Sequence, residues 1–200
     1  ARRLLPALTL LVTVCSSAAW IVGGDVLSGV GWQVLGTATF SYNWMSIAAG
    51  SDYFAAGAPE LFRNLWSLAV EEQFYVLWPL LLPLLLLLPW RAVRVGVALV
   101  AAGGSAWWMA QLTVAGEVTR GYYGTGSHAF GILLGVALAF ALHGLLLSPR
   151  PWMRRSAWRG AGALVGFASL AVLWASTSIP ADDTAATFPG ALLIASLATV

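Results

Sequence analysis

Apolar residues fill this chain in long runs separated by short polar connections. Crossing a bilayer takes about 20 helical residues. Runs of that order fall at 4–22, 67–89, 93–114, 128–147, 159–178 and 188–200, and each predicts a spanning helix. A further stretch, 31–49, is apolar but dotted with Ser41, Tyr42 and Asn43. There is no internal repeat, and leucine dominates from Leu80 to Leu88. The pattern predicts an all-α polytopic transmembrane bundle of about six spanning helices, with residues 1–200 as a single integral membrane domain.

Composition supports that solvent. Hydrophobic residues make up 60% of the chain and charged residues 9%, where a soluble domain carries about 25% charge. Mean hydropathy is +0.82. The 11 tryptophans suit a membrane–water interface. Cys15, the lone cysteine, lies in an apolar run and reads as a small hydrophobe. The chain starts without Met, directly before one apolar run, and stops inside another, so it is expected to be a piece truncated at both ends. Residues 4–22 read as a span. The small residues from Ser16 to Ala19 leave a signal peptide as the alternative.

Charge orients the helices. All ten basic residues are arginine. Arg2 and Arg3 precede the first span, Arg91 and Arg94 follow the leucine run, and Arg150, Arg154, Arg155 and Arg159 share one connection. The other connections carry mostly Asp and Glu. Positive-inside bias then places the arginine-rich connections in the cytoplasm. This makes a multi-pass plasma (inner) membrane protein in which 31–49 stays on the outer side, re-entrant or interfacial. Such backbone survives at membrane depth only inside protein or beside a wet cavity. The alternative is that 31–49 crosses and the bias is broken.

The run from Trp66 to Pro79 carries the candidate chemistry. It sets Glu71, Glu72, Gln73 and Tyr75 at the head of a lipid-like helix. One ionisable group at bilayer depth costs roughly 2.5–3.5 kcal/mol on insertion scales, so two in succession predict a polar cavity or a substrate. At helical spacing Ser67, Glu71, Tyr75 and Trp78 share a face, and Pro79 and Pro83 are expected to kink the helix. The bland reading places both glutamates in the interface at a helix N-terminus, where the macrodipole favours carboxylates. His128 and His143, without cysteine or carboxylate at ligand spacing, make no metal site. Arg150 to Arg155 reads as a basic loop against an anionic leaflet, not a nucleic-acid patch.

Three blocks in order resemble the acyltransferase-3 family of membrane-bound O-acyltransferases. They are Arg2-Arg3-Leu4-Leu5-Pro6, then Trp66-Ser67-Leu68-Ala69-Val70-Glu71-Glu72-Gln73-Phe74-Tyr75 running into Trp78-Pro79, then Tyr122-Tyr123-Gly124-Thr125-Gly126-Ser127-His128. Leu133-Leu134-Gly135-Val136-Ala137-Leu138-Ala139 follows as the family's next helix. Gly126 and His128 depart from the usual Asp and Arg, so an ion pair or substrate contact expected there is altered.

The resemblance implies transfer of an acyl group, typically acetyl, from acyl-CoA to a hydroxyl of a cell-surface carbohydrate or lipid-linked glycan. Acyl-CoA would be a co-substrate, with no bound cofactor. Glu71, Glu72 and Tyr75 would support a catalytic histidine expected upstream of Ala1. Trp66, Ser67, Gln73, Tyr122, Tyr123, Thr125 and His128 would contact substrate, and Arg2 and Arg3 the donor phosphates. Each of these has a plainer reading: the arginines as topology determinants, Trp66 as an interfacial belt residue. The alternatives are a transporter or channel domain with Glu71 and Glu72 as an ion site, or an inactive acyltransferase relic.

Overall fold

The computed structural model describes residues 4–51, 60–148, 156–178 and 187–200. Among them every regular element is helical. They are α1 Leu4–Val22, a 3-10 turn Gly24–Leu27, α2 Val30–Ala38, α3 Tyr42–Ala48, α4 Leu65–Leu86, α5 Arg91–Val114, α6 Val118–Tyr123, α7 Thr125–His128, α8 Phe130–Leu147, α9 Ser156–Ser176, a π-helical turn Thr187–Ala191 and α10 Leu192–Thr199. The all-α membrane fold expected from the hydropathy pattern is the fold observed. By length and apolar composition α1, α4 and α5 can cross a membrane, and α8 and α9 contain shorter apolar stretches, Phe130–Leu145 and Gly160–Ser176. Large apolar side chains stay exposed along them, among them Ile21, Leu80, Val100 and Trp174, which is tolerable only where lipid is the solvent.

Two stretches take a form that matters for the site. The run 31–49 is not one helix but two, α2 and α3, broken between Thr39 and Ser41. At 1.5 Å per residue the longer extends about 14 Å, half a bilayer core. The helix expected at 67–89 starts at Leu65, so its first turn holds no acidic residue. Glu71 and Glu72 lie in the second turn, where the macrodipole has largely fallen off. The helix continues through Pro79 and Pro83, each of which leaves one carbonyl without its helical donor.

Contacts divide the chain into two compact units, Ala1–Val76 and Leu77–Val200. In the first, α2 and α3 form a tight elbow. Its turn is a Schellman closure: Ser41 N–H donates to Gly36 O (2.8 Å) and Phe40 N–H to Thr37 O (3.2 Å). The residue at the left-handed position is Phe40, φ 51°, where glycine is usual and an L-residue costs roughly 1–2 kcal/mol. Gly36 allows the close approach, since a Cβ there would sit 3.0 Å from Tyr42 Cα. The same closure recurs after α3 and α5 with glycine in place, at Gly50 and Gly116. Phe40 is the exception.

In the second unit α5 packs along α8. The buried positions of α5 are Ala98, Ala102, Ser105, Ala106, Met109 and Leu112. Small residues let backbones approach where lipid supplies no hydrophobic drive. Ser105 Oγ donates across to Gly126 O at 2.7 Å. Arg94, read above as a topology charge, also closes the end of α4: its Nη2 reaches Leu86 O (3.1 Å) and Leu88 O (2.8 Å), its Nε Leu88 O (3.0 Å). Leu86 O is one of the carbonyls a helix C-terminus leaves without donors, and Leu88 O lies just past the helix end.

Candidate functional site

Two polar clusters stand out, one in each unit. In the first unit the core is unusually polar for a chain of this hydropathy: Gln33, Thr37, Asn43 and Ser46 are all buried. Buried amides need partners, and these have them. Gln33 Oε1 accepts from Phe62 N–H at 3.0 Å, joining α2 to the chain ahead of α4. Tyr42, fully buried, stacks on Trp32 with centroids 5.3 Å apart. Its hydroxyl donates to Glu60 Oε2 at 2.9 Å, and Glu60 also faces Arg63 Nε at 3.7 Å. A hydrogen bond to an ionised acceptor is worth on the order of 1.5–3 kcal/mol.

Gln73 ties this core to α4. Its Nε2 donates to Phe40 O (2.7 Å) and to Asn43 Oδ1 (3.0 Å), and its Oε1 accepts from Trp44 Nε1 (3.2 Å). The buried stripe of α4, Trp66, Ala69 and Val70, is continued at i+7 by the half-buried Gln73. Trp66 is 5% exposed, so stacking on a sugar would require it to leave its packing. Ser67 and Glu71 are exposed, Glu72 is half-buried, and Tyr75 is 58% exposed. Ser67 Oγ donates to Asn64 O at 3.2 Å. Among the described residues neither glutamate has a hydrogen bond or ion pair. The face holding Ser67, Glu71 and Tyr75 is thus turned out of this unit, away from the amide network.

Between α1 and α2 lies a cavity of about 230 Å³. Leu5, Leu8, Val12, Val34 and Ala38 line it, with Thr9, Thr13 and Thr37. Thr9 and Thr13 spend their hydroxyls on the α1 carbonyls of Leu5 (2.8 Å) and Thr9 (2.7 Å), so the lining is largely apolar. Arg2 and Arg3 lie outside the described residues.

In the second unit the third sequence block folds as α6 and α7 beside α5. Tyr122 is at the centre of an aromatic cluster, with His128 at 5.3 Å, Phe188 at 5.3 Å and Tyr123 at 6.1 Å between ring centroids. Tyr123 is buried; Tyr122, Thr125 and His128 are half-buried. Ser127 Oγ donates to Gly124 O at 3.1 Å. The span expected at 128–147 starts at Phe130, which leaves His128 in α7, outside the spanning helices. Burial lowers its pKa to about 4. It is neutral at physiological pH and does not replace the charge of the arginine the family pattern expects.

Gln33, Asn43, Glu60 and Phe40 escaped the sequence reading as site-shaping residues. Their partners lie about 18 to 33 positions away. The one available signal was the polar dotting of 31–49.

No family model matches the chain, and no solved structure matches it. Curated proteins do. The peptidoglycan O-acetyltransferase OatA of Listeria monocytogenes is 36% identical over 157 residues, covering 74% of this chain and 24% of that protein. YrhL of Bacillus subtilis, provisionally named a peptidoglycan O-acetyltransferase, is 37% identical over 143 residues, 69% of this chain and 22% of its own length. A Staphylococcus aureus protein provisionally named an O-acetyltransferase is 33% identical over 144 residues, 70% of this chain and 23% of that one. The chain spans about a quarter of the length of these relatives, 22–24%. Over more than two thirds of its own residues, this membrane chain is a sequence relative of bacterial proteins named as O-acetyltransferases.

Proposed function

We propose that this chain is part of an integral membrane O-acyltransferase of the acyltransferase-3 type, carrying acetyl from acetyl-CoA to a hydroxyl of a cell-surface glycan. The observation that carries the reading is the likeness to O-acetyltransferases over 69–74% of the chain, a likeness in which the block from Trp66 to Pro79 would find its use. Peptidoglycan is the acceptor to test first, because two of the relatives bear it in their names.

In this reading the acceptor oxygen attacks the thioester carbonyl, the C–S bond breaks, and the CoA thiolate leaves with a proton. Glu71 and Glu72 receive or orient the acceptor's hydroxyl proton together with a base from elsewhere in the full-length protein. The exposure of Glu71, with Glu72 half-buried beside it, suits that task, since a carboxylate held by the amide network could not meet a substrate. Tyr75, on the same face, offers a donor to a sugar or to the developing oxyanion. The donor's phosphates would rest on Arg2 and Arg3, whose guanidinium forks match phosphate oxygens. The apolar cavity beginning at Leu5 would take the uncharged arm next to them.

The test is acetyl transfer to muropeptides by the full-length protein in membranes. Glu71→Gln or Glu72→Gln should lower turnover at least a hundredfold at unchanged expression and insertion, and normal turnover in both would end the proposal. Gln at both Arg2 and Arg3 should raise the donor KM more than the acceptor KM. Lys at both should restore it only in part, since a point charge lacks the fork.

A further inference from the structure

Gln73 follows the two glutamates directly, yet it faces the other way. Successive helical residues turn by about 100°, so Gln73 lies nearly opposite Glu71, half-buried and in line with the buried stripe of α4. The orientation of its amide is forced. An indole N–H only donates and a backbone carbonyl only accepts, so Oε1 must face Trp44 (3.2 Å) and Nε2 the carbonyl of Phe40 (2.7 Å). The second Nε2 hydrogen reaches Asn43 Oδ1 at 3.0 Å. One side chain thus engages the turn residue of the α2–α3 elbow and two positions on α3.

The turn residue it holds is the strained one. Phe40 is the one non-glycine residue at positive φ among the described residues (51°). Strain of this kind persists only where surrounding contacts over-determine the conformation. Beside the two Schellman bonds of the turn itself, the Gln73 amide is a contact from outside the elbow that reaches this residue, placed one residue beyond the candidate catalytic pair. The elbow it closes is packed tightly enough that a Cβ on Gly36 would lie 3.0 Å from the backbone of Tyr42.

We propose that Gln73 is a positioning residue for acyl transfer: by holding the Phe40 carbonyl it keeps the strained α2–α3 elbow closed, and the closed elbow fixes the rotation of α4 and the direction in which Glu71 and Glu72 are presented. This rests on the O-acyltransferase reading and gives Gln73 a task different from contacting substrate. The Phe40 carbonyl only accepts, so it cannot pair with a carboxylate. Gln73→Glu therefore keeps an acceptor for Trp44 and loses the lock.

The experiment uses the full-length protein with acetyl-CoA and muropeptides, turnover being expressed per folded molecule. Gln73→Glu and Gln73→Met should each lower kcat ten- to hundredfold, the order expected of a small misplacement of reacting groups, with both KM values within about twofold of wild type. Adding Phe40→Gly to either should bring kcat back to within about threefold, because glycine holds a positive φ unaided. If the single variants do not fold, the double variants carry the comparison. Folded double variants near wild-type kcat support the lock, and folded ones with crippled kcat overturn it. Wild-type kcat in the folded single variants, a raised acceptor KM at unchanged kcat, or no rescue by Phe40→Gly would each overturn the proposal as well. Absence of acetyl transfer by the wild-type protein would instead reject the acyltransferase reading, and the positioning role with it.

Discussion

His128 shows how a single residue reports its surroundings. Placed between Tyr122 and Phe130 and pushed down to about 4 from 6.5, it is neutral when folded and basic when unfolded. Between those values the unfolded chain binds more protons, so acid favours unfolding. The stabilisation is complete above pH 6.5 and falls away as pH drops towards 4. Thermal unfolding in detergent should therefore show an acid-induced decline across that window, and His128→Gln should flatten the part of it that His128 causes. An unchanged pH profile in the variant would mean that the imidazole charges without cost. Phe40 carries the complementary lesson, because its strain is invisible in a sequence that gives glycine to the equivalent turns after α3 and α5.

Among the elements, α4 combines tasks that hydropathy treats as one. Its buried stripe of Trp66, Ala69 and Val70 continues to Gln73, its outward face carries Glu71 and Tyr75, and Arg94 satisfies its end. The last point separates two accounts of that arginine. A topology charge is replaceable by lysine, whereas a fork spanning the Leu86 and Leu88 carbonyls is not. Arg94→Lys and Arg94→Gln should both lower the stability of the inserted protein, by about 1 kcal/mol for a part-buried charged hydrogen bond discounted for solvent. Equal melting temperatures for wild type and Arg94→Lys would leave topology as its whole role.

For the molecule as a whole, the arginine distribution predicts which connections face the cytoplasm. In a Cys15→Ser background, cysteines replacing Ser28 and Gly116 should react with an impermeant thiol reagent from outside the cell, and one replacing Ser156 should react only after permeabilisation. Reversed labelling at Gly116 would mean that 31–49 crosses after all and that every later helix is inverted. The structure adds that this stretch is two short helices, neither able to cross alone.

The division between what was legible beforehand and what was not follows the range of the forces involved. Hydropathy is a local sum, so the helical membrane fold and most of the helix positions could be read from the apolar runs alone. Motif likeness is also local, and the block from Trp66 to Pro79 points to acyl transfer by itself. Direction was not legible. A helix apolar nearly all round has no stripe to show which side packs, so whether Glu71 or Gln73 pointed inward could not be told from α4. Only the folded elbow decided it, by placing Phe40, Asn43 and Trp44 where the Gln73 amide could satisfy them. The partners of that part-buried amide lie some thirty residues away along the chain, a separation that only tertiary structure closes.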